Sequence, residues 1–232
     1  MKKNLRPLML LASILAGAGL TYIILYYTVG FGQQGGSKGN AEGSLVRIMP
    51  IMEPNPAGGG DSVIHTVGSF QFVDQLNKEV TEKSLLGKIW VADVFFTTCQ
   101  GICPQLSSGL QRVQEAFKGD SEVRLVSFSV DPDYDSIPLL QEYGKRYGAD
   151  DAQWSFLTGN KTDLYRVEND EFFFGATRDA DSTIKFVHDN TLRLVDKQGR
   201  FRGRFYDGTL PADVDSLISD IKKLKHEYSQ IQ

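Results

Sequence analysis

Hydrophobic and polar positions divide this chain into three stretches. Leu8 to Val29 is a run of 22 residues without a charge. As a helix rising about 1.5 Å per residue it spans about 33 Å, close to the hydrocarbon thickness of a bilayer. Lys2, Lys3 and Arg6 precede it. Basic residues stay on the cytoplasmic side, so the rest of the chain is expected to face outward. Tyr22, Tyr26 and Tyr27 gather toward the far end, where aromatic side chains favour the interface. A cleaved signal peptide is the competing reading, with an apolar core of about 7–15 residues before small residues. Ala16-Gly17-Ala18-Gly19 offers such residues, but the apolar run continues through Tyr22-Ile23-Ile24-Leu25. Retention as one transmembrane helix is expected.

Residues 30–60 hold nine of the 23 glycines and three of the eight prolines. That composition forms a tether rather than a packed core. Val46-Arg47-Ile48-Met49 is its one extended piece, expected to lie on the domain. From about residue 62 the pattern becomes regular. Ser69 to Val73 and Val80 predict a hairpin, and Thr81 a cap for a turn of helix over Glu82 to Leu86 that Gly87 ends. Ile89 to Phe96 is a largely apolar run suited to a buried central strand. Leu106, Leu110, Val113 and Phe117 share one helical face. Val123 to Val130 predicts the next strand. Asp135 or Ser136 caps a helix with Pro138 in its first turn, running to about Tyr147. Trp154 to Leu157 reads as a strand and Lys161 to Asn169 as a helix. Thr191 to Val195 and Phe201 to Tyr206 flank a turn at Asp196-Lys197-Gln198-Gly199. Leu210 to Tyr228 closes the chain as an amphipathic helix. Strands alternating with helices, then a hairpin and a last helix, predict an α/β fold. It is a mixed sheet with helices on both faces, in thioredoxin-like order. The expected organisation is a basic cytoplasmic N-terminus (1–7), the anchor (8–29), the linker (30–60) and the domain (61–232).

Charge narrows the partners. Apart from the three basic residues before the anchor, 22 basic residues face 29 acidic ones. An acidic surface excludes nucleic acid as an expected ligand, since phosphate neutralisation needs basic residues. Asp131-Pro132-Asp133-Tyr134-Asp135 and Glu168-Asn169-Asp170-Glu171 read as solvated surface, with a docking face for a basic partner as the functional alternative. Phe172-Phe173-Phe174 reads as packing.

All thiol chemistry sits at Cys99-Gln100-Gly101-Ile102-Cys103, between the central strand and the next helix. Ligands favour that place, at the carboxyl ends of strands. Pro104 suits a first helical turn, and a helix N-terminus is expected to lower a thiol pKa. Two sulfurs a turn apart can converge on one ion or close a disulfide. A purely structural disulfide is disfavoured, because so short a loop removes little unfolded-state entropy. Of the three histidines, His65 and His226 read as solvated. His188 lies just before a strand, in the loop expected to face the cysteines. No proline occurs between Pro138 and Pro211, whereas general thioredoxin-type oxidoreductases place a cis proline in that loop. Two thiolates and an imidazole suit copper. Zinc would want a fourth ligand, which Asp189 can supply.

These stretches resemble the Sco/SenC family of copper-binding assembly proteins. The matching residues are Gly87 to Cys99, Cys103-Pro104, Ser129-Val130-Asp131-Pro132, Leu157-Thr158-Gly159, and His188 with Leu194 to Gly199. The resemblance implies a thioredoxin-like fold and a copper ion, Cu(I) or Cu(II), held by Cys99, Cys103 and His188. It also implies a periplasmic or otherwise extracytoplasmic domain on the cell membrane. Copper or reducing equivalents would pass to the copper-bearing subunit of cytochrome c oxidase. Another copper chaperone or a thiol reductant would be a further partner. Two departures stand out. Val187 occupies the position before the histidine where many members carry aspartate. The usual hairpin glycine is missing from Asp74-Gln75-Leu76-Asn77-Lys78. A membrane-anchored thiol–disulfide reductase using Cys99 and Cys103 is the alternative function. A peroxidase of the peroxiredoxin kind is disfavoured, because Phe96-Thr97-Thr98-Cys99 lacks the proline of that class.

Overall fold

The computed structural model describes residues 46–48, 50–51, 63–175 and 190–230, all within the unit Leu45–Gln232. The expected anchor at 8–29, most of the linker, and His188 lie outside the described residues. Among the described residues no helix is long and apolar enough to cross a membrane.

Short strands β1 (Pro50–Ile51) and β2 (Val63–Ile64) pair antiparallel. β3 (Gln71–Val73) and β4 (Glu79–Thr81) form the expected hairpin. The turn needs a left-handed residue, and Asn77 supplies it at φ 59°. Asparagine tolerates this conformation better than most side chains. Asp74 supports it by accepting from the Leu76 and Lys78 amides at 2.8 and 2.9 Å. The absent glycine is thus replaced rather than lost. α1 (Glu82–Leu85) follows, with Thr81 and Ser84 forming a reciprocal cap.

The central sheet runs β7-β6-β5-β8-β9. β5 (Ile89–Phe95) is buried at every position, as expected of a middle strand covered on both faces. β6 (Val123–Ser129) and β7 (Trp154–Leu157) run parallel to it, while β8 (Thr191–Val195) and β9 (Phe201–Asp207) complete an antiparallel edge. The two-residue alternation of β5 sorts the core. Ile89, Val91 and Phe95 pack with α2 (Cys103–Ala116), α3 (Ile137–Arg146) and α5 (Pro211–Ser229). Trp90, Ala92 and Val94 pack with the hairpin, α1, α4 (Lys161–Arg166) and the π-helical turn Val167–Glu171 that extends it. The Gln75 side chain covers the free edge of β7, donating to the Trp154 carbonyl and accepting from the Phe156 amide, both at 2.8 Å. Pairing such an edge removes a template for aggregation.

Three polar groups expected in solvent are buried. His65 is enclosed, edge-on to Phe173 and tilted against Phe201, with its Nε2 2.9 Å from the Glu171 carbonyl. Asp135 and Glu168 are fully buried, whereas a charge run read by composition alone looks solvated. The Phe172–Phe174 run packs as expected, with Phe172 and Phe174 in the core.

Two glycines let α2 approach the turn before α5. A Cβ on Gly109 would come 2.4 Å from the Gly208 carbonyl oxygen, and one on Gly208 would come 2.6 Å from a Leu106 methyl. Gly109→Ala gains about 1 kcal/mol of helix propensity but meets backbone. Overpacking of this kind costs about 1–3 kcal/mol and dominates. Urea denaturation is expected to show a net loss; an unchanged midpoint would mean that α2 shifts freely.

Candidate metal centre

Cys99 lies in the loop leaving β5, and Cys103 is the first residue of α2. Pro104 fits the first turn because its missing N–H needs no partner there. The Cys99 amide donates to the Phe96 carbonyl at 3.2 Å, curling the loop back on the strand end. The Cys103 amide then points at Cys99 Sγ, 3.4 Å away. No disulfide joins the two thiols; Cys99 is half-buried and Cys103 is 0% exposed. The pair is asymmetric: one sulfur reaches solvent and its partner sits behind it.

The helix N-terminus does not lower the Cys103 pKa as expected. Its hydrogen bond with Cys99 pushes the thiol well above the ordinary range, with burial and the Cys99 charge adding to the rise. Two sulfurs in one pocket favour a shared proton over two thiolates, and that outweighs a partial dipole charge. Asp93 raises it further. This carboxylate interrupts the apolar run of β5 on the face toward α2 and is 1% exposed. The break in hydrophobicity was its signal in the sequence. The Tyr143 hydroxyl, 2.8 Å from Ser107 Oγ on α2, is held above its usual range by burial.

Among the described residues no three His, Cys, Asp or Glu side chains cluster as a metal site. The two thiols are the described part of the candidate set. His226 is exposed on α5, and His65 lies among the aromatic residues of the opposite face. The residues bracketing 176–189 are firmly held. Arg193 is buried between the rings of Phe174 and Phe205, its guanidinium carbon 4.5 and 3.5 Å from their centroids. It donates to the Phe172 and Phe173 carbonyls at 2.9 and 3.0 Å, and to Thr191 Oγ1. Asn190 accepts from the Gly208 amide at 2.9 Å and donates to Asp207 at 2.6 Å. Gly208 in turn lies against Leu106 and Gly109 of α2.

A thiol pair at the carboxyl end of a central strand, opening the helix that follows, defines a thioredoxin-like dithiol domain. Residues 60–226 match the SCO1/SenC family model, and the chain belongs to that family. It is 31% identical over 167 residues to the SCO1 protein homolog of Bacillus subtilis, covering 70% of this chain and 84% of that one. Its fold matches BsSco, a member of the Sco family of cytochrome c oxidase assembly proteins with an identified disulfide switch. That match has a TM-score of 0.62 and 27% identity, over 78% of this chain and 98% of that one. ScoI of Bradyrhizobium japonicum, solved with copper bound, matches with a TM-score of 0.57 and 25% identity. The overlap is 68% of this chain and 99% of that one.

Proposed function

We propose that this protein binds copper through Cys99, Cys103 and His188 and serves assembly of the copper centre of cytochrome c oxidase. The observation that carries the reading is the pair of adjacent sulfurs, not joined as a disulfide, with the Cys103 amide 3.4 Å from Cys99 Sγ, in a member of this family. Soft thiolates suit Cu(I), and an imidazole lets the same set accept Cu(II). The copper-bound relative supports copper as the cargo, and the oxidase-assembly relative supports the destination. The pinning of Asn190 beside α2 supports His188 as third ligand. Two residues of chain, at most about 7 Å, separate position 188 from that anchor. The uncharged run at 8–29, behind three basic residues, supports a membrane-anchored domain outside the cytoplasm.

Copper titration of the full-length protein tests the ligand set. His188→Ala is expected to weaken binding by more than about tenfold, since imidazole supplies one of three ligands. Unchanged affinity would remove His188 from the site. A thiol–disulfide reductase using the same cysteines is the second reading. It is favoured by the half-exposed Cys99 backed by buried Cys103, and by the disulfide switch of the BsSco relative. In that case His188→Ala would leave reductase turnover intact.

A further inference from the structure

Asp135 does not cap the helix it precedes. Its carboxylate turns inward and is completely buried. Both oxygens accept from the Thr97 amide, at 3.2 and 3.3 Å. Oδ1 also accepts from the Thr97 hydroxyl, and Oδ2 from the Ser129 hydroxyl. Ser129 Oγ in turn accepts from the Asp131 amide at 3.1 Å, and the Val130 amide donates to the Phe95 carbonyl at 2.9 Å. Burial raises the Asp135 pKa above the ordinary carboxylate range, against the opposing pull of its Ser129 and Thr97 donors. Burying a carboxylate is costly unless its lone pairs are filled. Here the two ends of the sheet's central strands fill them.

Thr97 stands two residues before Cys99, where β5 gives way to the cysteine loop. A single carboxylate therefore grips both the amide and the hydroxyl of the residue that sets the direction of that loop. The other contacts of the carboxylate and its turn run to β6, a rigid strand. We propose that Asp135 is a positioning residue for the dithiol. By fixing Thr97 to the end of β6, it holds Cys99 Sγ against the Cys103 amide. The inference rests on Cys99 and Cys103 being the working site, and it does not depend on copper. Ligand-orienting partners of this kind typically carry 10–100-fold effects on a site they never touch.

The test uses metal-free, full-length protein. Asp135→Asn keeps shape and removes charge. Thr97→Val removes one hydroxyl, and Thr97→Ser restores it. Leu85→Ala, in the buried face of α1 on the opposite side of the sheet from Cys103, serves as a destabilised control. Two quantities are read: the alkylation rate of Cys99 by iodoacetamide, resolved by peptide mass, and the dithiol–disulfide equilibrium against glutathione. Asp135→Asn and Thr97→Val are expected to shift both by about tenfold or more. Thr97→Ser is expected to match wild type, and Leu85→Ala to lower Tm while leaving both readings in place. If Asp135→Asn does not fold, the Thr97 pair carries the comparison alone. Wild-type readings in Thr97→Val, with only a lowered Tm, would overturn the proposal and leave Asp135 a structural group. Failure of the wild-type protein to bind copper would sink the proposed function while leaving this comparison unaffected.

Discussion

A Cys103→Ser variant is expected to lose copper binding while keeping its fold. Cys103 is enclosed at the start of α2, so a nearly isosteric hydroxyl fits the same space and can still meet Cys99. What it cannot supply is a thiolate. Serine is a hard, unionised oxygen donor at neutral pH, and a soft ion loses one of the two sulfurs that select it. The loss is expected to exceed about 100-fold, the upper end of what outer-shell partners contribute. Competition with a Cu(I) chelator measures it, and thiolate-to-Cu(II) charge-transfer absorption is expected to vanish in parallel. Cys99→Ser should behave alike for copper. The two differ in reactivity: Cys103→Ser retains the solvent-reaching sulfur, whereas Cys99→Ser leaves only the enclosed one. Wild-type copper affinity in either variant would exclude a site built on both thiols.

Glu168 is expected to make the protein less stable as pH rises above the ordinary carboxylate range. It is 0% exposed in the π-helical turn, and neither of its oxygens has a hydrogen-bond partner among the described residues. Burial alone pushes its pKa well above the usual 4.5. The direction of the effect follows from proton counting. Below the unfolded value, about 4.3, both states hold the proton and pH has no effect through this group. Above it, the unfolded chain releases the proton while the folded chain keeps it. Unfolding is therefore favoured progressively until Glu168 ionises in the folded state too. Within that window the penalty grows by about 1.4 kcal/mol per pH unit. Other carboxylates act in the opposite sense: Asp213, held at about 2 by Arg204, contributes stability that is lost only as pH falls. Comparing wild type with Glu168→Gln cancels those common contributions. The variant is expected to show a flatter stability profile between pH 5 and 8 in urea unfolding. Parallel profiles would mean that the carboxyl is not held neutral.

Much of the fold was legible because it follows from periodicity. The Ile89–Phe95 run, apolar but for Asp93, has the pattern of a strand covered on both faces, and the Leu106, Leu110, Val113 and Phe117 stripe buries one side of a helix. The misreadings concern single polar residues. His65, Asp135 and Glu168 carry no local mark of burial, and each sits in a stretch whose composition reads as surface. Their burial comes from residues far away in sequence: Phe201 against His65, and Thr97 around Asp135. Asn77 shows the same limit from the other direction. A missing glycine looked like a departure from the family pattern, yet Asp74 and a left-handed asparagine make the turn.

The candidate site divides along the same line. The sequence alone determined that the cysteines lie between a central strand and a helix, because the flanking hydrophobic patterns allow no other placement. It also determined the chemistry on offer, since thiol and imidazole are properties of residue type. Only the tertiary structure decided that Cys99 reaches solvent and Cys103 does not, and that their mutual hydrogen bond outweighs the helix terminus in setting the Cys103 proton. It alone buried Asp93 where its charge acts on Cys103, and set Asp135 behind the loop. Side-chain type is local information, but burial, proton affinity and orientation depend on neighbours that folding brings together.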